Sequence, residues 1–275
     1  AALAAALGPQ KPSGLGKDAV ADPRWQVTPD ARRTPFTPAE FMAAHLDPTA
    51  IGPGPVGHGF TQAAVESSVA YYTFPIASGV TGVALDSTNR SGFTHGSLGT
   101  AQFRWLENVL RTGVANQELF VIFSHHTSGS MDNPRPDPRT PAEARHLGAE
   151  VIALLHSVPN VLAWVNGHTH TNNITPRPGA TPKQGFWEIN TASHIEFPQQ
   201  ARIIDVCDNH DGTLSLFTTL IESAAPYQAS YDDGSQAALG SLYREFSVND
   251  INYSGSHEGQ PKDHNTELLL THPLA

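Results

Sequence analysis

The residues in this chain best placed to do chemistry are two histidines separated by one residue, in Gly167-His168-Thr169-His170. They follow the apolar run Val161-Leu162-Ala163-Trp164-Val165, where a buried strand would end. Neutral imidazole is the commonest nitrogen ligand of zinc, manganese, iron and related ions, and a glycine just before it lets the backbone turn sharply. With 23 Gly and 14 His among 275 residues, roughly 0.06 Gly-His-x-His matches are expected by chance, so the motif carries information. Upstream, the apolar run Leu119-Phe120-Val121-Ile122-Phe123 empties into Ser124-His125-His126-Thr127-Ser128-Gly129. Sites in open α/β sheets lie beyond the carboxyl ends of the strands, so histidines that follow two strands of one parallel sheet can converge there.

The elements between the clusters support that geometry. Met131 to Arg139 reads as a proline-rich loop. Thr140-Pro141-Ala142-Glu143 reads as a capping box opening a helix to about Ser157, with Leu147, Val151, Leu154 and Leu155 on its apolar stripe. Strand, helix and strand with short links imply a right-handed parallel crossover. Before them, Val69 to Phe74 and Val80 to Leu85 read as strands, and Thr100 as the cap of a helix carrying Phe103, Leu106 and Leu110. After them, Phe186 to Asn190, Arg202 to Val206 and Leu214 to Thr219 read as strands, the last two joined by the hairpin signal Asp208-Asn209-His210-Asp211-Gly212. Thr37 and Pro38 open a short helix in an otherwise aperiodic Pro/Gly-rich beginning. Trp105 and Trp164 are expected in the core.

Composition narrows the function classes. Thirty-nine per cent hydrophobic residues in 275 suit one large α/β domain or one domain plus an irregular arm. A formal charge of −10 argues against nucleic acid or an anionic membrane as the main partner, and an anionic substrate would need local cations to offset that field. The single cysteine, Cys207, excludes an intrachain disulfide and a cysteine-built zinc site. No run approaches the roughly 20 apolar residues of a membrane span. Ala1 to Leu7 lacks the basic start of a signal peptide, so the chain reads as soluble with its compartment open.

With those residues in view, the chain resembles the C-terminal half of a calcineurin-like metallophosphoesterase, over roughly Tyr71 to Thr219. Ser124-His125-His126 matches the family's fourth metal-binding element and Gly167-His168-Thr169-His170 its fifth. Leu85-Asp86-Ser87-Thr88 with Gln102, Trp105, Leu106 and Glu107 resembles the strand and helix of an actinobacterial-type subgroup. The resemblance implies an α/β (α+β) fold, a β-sandwich flanked by helices, present here as its C-terminal half. It implies two divalent ions, Mn, Fe, Zn or Co, clamping a phosphate monoester or diester that is cleaved by metal-activated water. It places His125 and His168 on one ion and His170 on the other. The family's Asp-x-His, Gly-Asp-x-x-Asp and Gly-Asn-His-Asp/Glu elements, which would come first, are expected to be missing from all 275 residues. The histidine that protonates the leaving group belongs to one of them, so no catalytic acid is assigned within this chain and only partial metal occupancy is expected. The chain is expected to begin inside a longer protein, with residues 1–68 as an arm or remnant, 69–222 as the half-domain and 223–275 as an extension.

Other candidates stay open. His126 rivals His125 for its ligand place and would otherwise brace a ligand or touch substrate. His194, in Asn190-Thr191-Ala192-Ser193-His194, and Asn190 itself are candidates for substrate contact or for bracing the ligands. Asn166 could be a turn residue; Asp86 reads as a loop cap more than a ligand-orienting group, and His58 as part of an ordered loop. His210, His257 and His264 are expected in solvent. A degenerate, non-catalytic phosphoesterase fold serving binding or structure is the second reading. A mononuclear zinc hydrolase ranks third, for want of a nearby HExxH-like glutamate.

Overall fold

The computed structural model describes residues 30–49, 54–251, 253 and 257–275, and the apolar opening Ala1 to Leu7 lies outside them. Its centre is a six-stranded sheet ordered β1 (Tyr72–Ala77), β2 (Val80–Ala84), β4 (Leu119–Phe123), β6 (Val161–Asn166), β8 (Phe186–Asn190) and β7 (Asn173–Arg177). The four inner strands β2, β4, β6 and β8 pair in parallel, while β1 and β7 close the edges antiparallel. A second, antiparallel sheet holds β9 (Gln200–Asp208) and β10 (Thr213–Glu222), joined by the turn at 209–212, and β11 (Thr266–Thr271) on the free edge of β10.

The continuous apolar runs that flank the histidines follow from burial of both faces of the large sheet. Leu119, Val121, Leu162, Ala163, Ile174 and Ile189 meet Leu214, Leu216, Leu268 and Leu270 of the small sheet, which makes the sandwich. On the other face Phe120, Ile122, Trp164 and Phe186 pack with Leu106 and Leu110 of helix α3 (Thr100–Asn116) and Val151, Leu154 and Leu155 of helix α4 (Gly148–His156). The fold is thus mixed α/β, a sandwich flanked by helices. The stretch after residue 222 supplies β11 and helix α5 (Gln236–Val248), which no sequence signal had picked out. Helices α1 (Pro38–His45) and α2 (Gln62–Ser67) occupy the arm, and Thr37 caps α1 as expected, in a capping box with Glu40.

Four local expectations change. The first strand begins at Tyr72, not Val69, because Ser68 terminates α2 in the left-handed conformation and 69–71 lead out of it. Thr100 is the first helical residue and Gly99 the cap; the Thr100 hydroxyl instead donates to the Ala144 carbonyl at 3.0 Å. Thr140 to Glu143 forms a turn, and α4 begins only at Gly148. Between them β5 (Arg145–His146) pairs with β3 (Leu98–Gly99), and the Arg145 guanidinium donates to Ser97 Oγ at 3.0 Å and the Ser97 carbonyl at 2.7 Å. A helix through 145 would break those bonds, so tertiary pairing overrides the local capping signal. Trp164 is fully buried, whereas Trp105 is only partly so, against Tyr71.

Candidate metal centre

The carboxyl ends of β4 and β6 lie side by side, and their backbone ladder continues past the strands. Ser124 N donates to the Val165 carbonyl at 3.1 Å and Gly167 N to the His125 carbonyl at 2.9 Å, which fastens the two histidine loops to each other. The buried Trp164 indole donates to Ser124 Oγ at 2.8 Å, and Ser124 Oγ in turn donates to the His126 carbonyl at 2.7 Å. The loop therefore inherits the rigidity of the core beneath it.

Above this frame, His125 Nε2 and His168 Nδ1 stand 3.1 Å apart with their rings nearly perpendicular. Two imidazole nitrogens each about 2.0–2.1 Å from one ion are separated by about 3.0–3.4 Å, so the pair has the spacing joint ligation requires. Burial pushes the His168 pKa down to about 4, helped by the neighbouring His126, His125, His95 and His170. Burial lowers that of His125 as well, followed by His126 and His170. Both rings are thereby held neutral, the state that offers a lone pair.

His126 also lies in this cluster, its ligand atom within 4.8 Å of those of His125 and His168. Its nitrogens are already committed. Thr94 O can only accept, so His126 Nε2 donates to it at 2.9 Å, and Nδ1 then accepts from the Ser87 hydroxyl at 2.8 Å. His126 is 5% exposed and packs against Gly96, where a β-carbon would fall 2.4 Å from Nδ1. Of the rivals, His126 has both ring nitrogens bonded to the fold around it, whereas His125 is exposed and its Nε2 meets only the His168 ring.

His168 and His170 adopt left-handed backbone with φ of 68° and 55°, which costs non-glycine residues about 1–3 kcal/mol each. Gly167 does not, and a β-carbon there would meet only the His125 carbonyl at 3.7 Å, so the sharp turn expected at the glycine is made by the histidines. Asn190 holds them. Its amide donates to Asn166 Oδ1 at 3.0 Å and the Gly167 carbonyl at 2.6 Å, and its oxygen accepts from Thr169 Oγ1 at 3.1 Å. These contacts fasten Asn190 to the loop that carries His168 and His170, and they tie Asn166 into the same network.

Beneath both loops lies Glu188, 5% exposed. Its carboxylate accepts from Ser128 N at 2.8 Å, Ser128 Oγ at 2.8 Å, Asn166 Nδ2 at 2.9 Å and Arg177 Nε and Nη2 at 2.8 and 2.6 Å. It joins the loop after β4 to the end of β6. A polar cleft of about 400 Å³ opens beside it, lined by Thr127, Ser128, Thr169, Thr171 and Arg177 among others. In sequence Glu188 is merely one polar residue inside a short strand, which gives no sign of this role.

His170 is held apart from the pair: its Nδ1 bonds Glu196 Oε2. The structure places His194 elsewhere, exposed on a cleft of about 340 Å³ with Gln199, Glu222 and Tyr243. Asp86 caps its own loop, accepting from Thr88 N at 3.0 Å. His58 lies in a turn whose carbonyl accepts from the Tyr72 hydroxyl at 2.8 Å. His210 is in solvent, its side chain 86% exposed. Asp208-Asn209-His210 is a literal Asp-x-His, but it forms the β9–β10 turn, downstream of Gly167-His168-Thr169-His170. His257 departs from expectation: its side chain is only 22% exposed and Nδ1 lies 3.8 Å from Glu196 Oε2. His264 is half-buried, with Nε2 2.7 Å from the Glu258 carbonyl. Sequence reasoning also passed over His95, whose ring lies 5.8 Å from that of His168 and whose Nδ1 bonds Asp132.

The donor set suits a divalent metal that accepts nitrogen, although the cluster of His125, His126 and His168 contains no carboxylate. Among the described residues no helix is long and apolar enough to cross a membrane. No protein-family model matches the chain, and no curated protein matches it. Among solved structures it is similar to the crystal structure of a dimetal phosphatase from Danio rerio, at 16% identity and a TM-score of 0.41. That match covers 58% of this chain and 60% of the other, so the chain spans about six-tenths of that structure's length.

Proposed function

We propose that this chain contributes part of a two-metal phosphoesterase site, with His125 and His168 on one divalent ion and His170 on the other. The protein would hydrolyse a phosphate monoester or diester. The observation that carries this reading is the 3.1 Å approach of His125 Nε2 to His168 Nδ1 at the ends of two parallel strands, between rings held neutral by burial. When bound, divalent ions supply Lewis acidity to the phosphoryl group and lower the pKa of water. The chain's own residues present and fix the nitrogen donors: Asn190 and Glu188 hold the loops, His126 fills the space beneath them, and the hydroxyl-lined cleft beside Arg177 offers room for the substrate's organic part. The carboxylates and the acid that the resemblance calls for would come from sequence preceding these elements.

The cluster's lack of a carboxylate favours one second reading, a phosphoesterase fold that binds without catalysis. Metal content and hydrolysis of p-nitrophenyl phosphate and bis(p-nitrophenyl) phosphate separate the two, measured on the 275-residue chain and on protein carrying its native upstream sequence. Weak, substoichiometric metal and little turnover are expected for the chain, with turnover gained by the longer protein and lost in His168→Ala and His170→Ala. Metal content and rate unchanged in both variants would refute the proposal; metal without turnover in the longer protein would establish the binding reading.

A further inference from the structure

We propose that Glu196 is a positioning residue that fixes the tautomer of His170 and so leaves Nε2 as its ligand atom; this rests on the reading of His170 as a metal ligand. Glu196 sits on the loop after β8, far from the Gly167-His168-Thr169-His170 motif in sequence, and no motif marks it. Its backbone is anchored: the Glu196 carbonyl accepts from Gln199 N at 2.7 Å, and Ala192 N, earlier in the loop, donates to Asn172 Oδ1 at 3.1 Å. A carboxylate can only accept, so the contact between Glu196 Oε2 and His170 Nδ1 puts the ring proton on Nδ1. In the neutral ring that coordinates a metal, the lone pair is then on Nε2. A partner on the far nitrogen is the usual means by which proteins orient a ligating imidazole and raise its basicity.

Two further features support the assignment. His170 has a left-handed backbone at φ 55°, which a histidine adopts only where its surroundings hold it, and the Glu196 contact is one such hold. The same carboxylate oxygen has a second imidazole near it: His257 Nδ1, 3.8 Å away, buried and without a hydrogen-bond partner. Asn172 N fastens that segment by donating to the His257 carbonyl at 2.9 Å. Glu196 therefore has two imidazoles near one oxygen, in hydrogen-bond contact with His170 and too far from His257 for a direct bond.

The test reads the tautomer directly, by long-range ¹⁵N–¹H correlation of the histidine rings in the metal-free 275-residue chain, with His170→Ala to assign the signal. Wild type should show His170 protonated at Nδ1. Glu196→Ala should move the proton to Nε2, and Glu196→Gln, whose amide oxygen still accepts, should keep it on Nδ1. In zinc competition titrations, the His170-dependent part of the affinity should fall 10–100-fold in Glu196→Ala and be largely rescued in Glu196→Gln. An Nε2-protonated His170 in wild type, or an unchanged tautomer and affinity in Glu196→Ala, would overturn the proposal. If His170→Ala leaves zinc affinity unchanged, the ligand role of His170 fails instead, and the tautomer data show that separately.

Discussion

Replacing Glu188 by leucine should destabilise the metal-free protein by about 5 kcal/mol. The carboxylate is buried and takes five hydrogen bonds from Ser128, Asn166 and Arg177. Its loss strands the Ser128 amide and the Asn166 side chain, at about 1–3 kcal/mol for each buried donor left unpaired. It also removes the partner of Arg177, which for a fully buried pair costs about 3–5 kcal/mol. The Arg177 side chain is 30% exposed, and its Nη2 keeps a 2.7 Å bond to Ser128 Oγ, so water and that hydroxyl recover part of the loss and the lower end applies. Urea unfolding in excess chelator, so that bound metal does not add to stability, gives the difference from the midpoint shift at constant m. Adding Arg177→Met removes the stranded cation, and the double variant should be about 1–2 kcal/mol more stable than the sum of the two single effects predicts. Because Glu188 ties the loop after β4 to the end of β6, the variant should also lose zinc affinity at His125 and His168. A stability loss below about 1 kcal/mol, or strict additivity with Arg177→Met, would refute the argument that one buried carboxylate joins the two histidine loops.

Three further outcomes follow from the same geometry. Gly167→Ala should cost less than about 1 kcal/mol, since its β-carbon meets nothing closer than 3.7 Å, whereas Gly96→Ala drives a β-carbon to 2.4 Å from both His126 Nδ1 and the Ser87 carbonyl and should cost about 3 kcal/mol or more; paired urea melts compare them, and equal losses would count against the packing described. His126→Ala should lower stability by about 3 kcal/mol through lost packing and hydrogen bonds, yet retain more zinc per chain than His168→Ala; elemental analysis after dialysis reads this, and equal zinc loss would make His126 a ligand. In metal-free protein the folded-state pKa of His168, about 4, lies below its ordinary value of 6.5, so the unfolded chain takes up the proton first. The associated stability is present in full above about pH 6.5 and drains away as pH falls towards 4, so the fall in urea midpoint between pH 7.5 and 4.5 should be smaller in His168→Gln; an identical slope would refute the depressed pKa.

Much of this architecture is written locally. The runs 119–123 and 161–165 are apolar without alternation because both faces of the sheet are covered, and that pattern, with the histidines that follow each run, is readable from sequence alone. The hairpin at 208–212 and the cap at Thr37 are equally local, since turn and cap chemistry depends on a few adjacent residues. What needed the tertiary structure is whatever depends on a distant partner. Thr140 to Glu143 has a helix-capping pattern, but Arg145 is worth more in its bonds to Ser97. His125 and His126 are indistinguishable in sequence; Ser87 and Thr94, more than thirty residues upstream, occupy both nitrogens of one ring and leave the other facing His168. Glu188 and Glu196 carry no motif, because burial and hydrogen bonding are set by what the fold brings against them. The residue types and their strand-end spacing therefore determine that nitrogen donors are present, and the folded chain alone decides which rings keep a free lone pair and where it points.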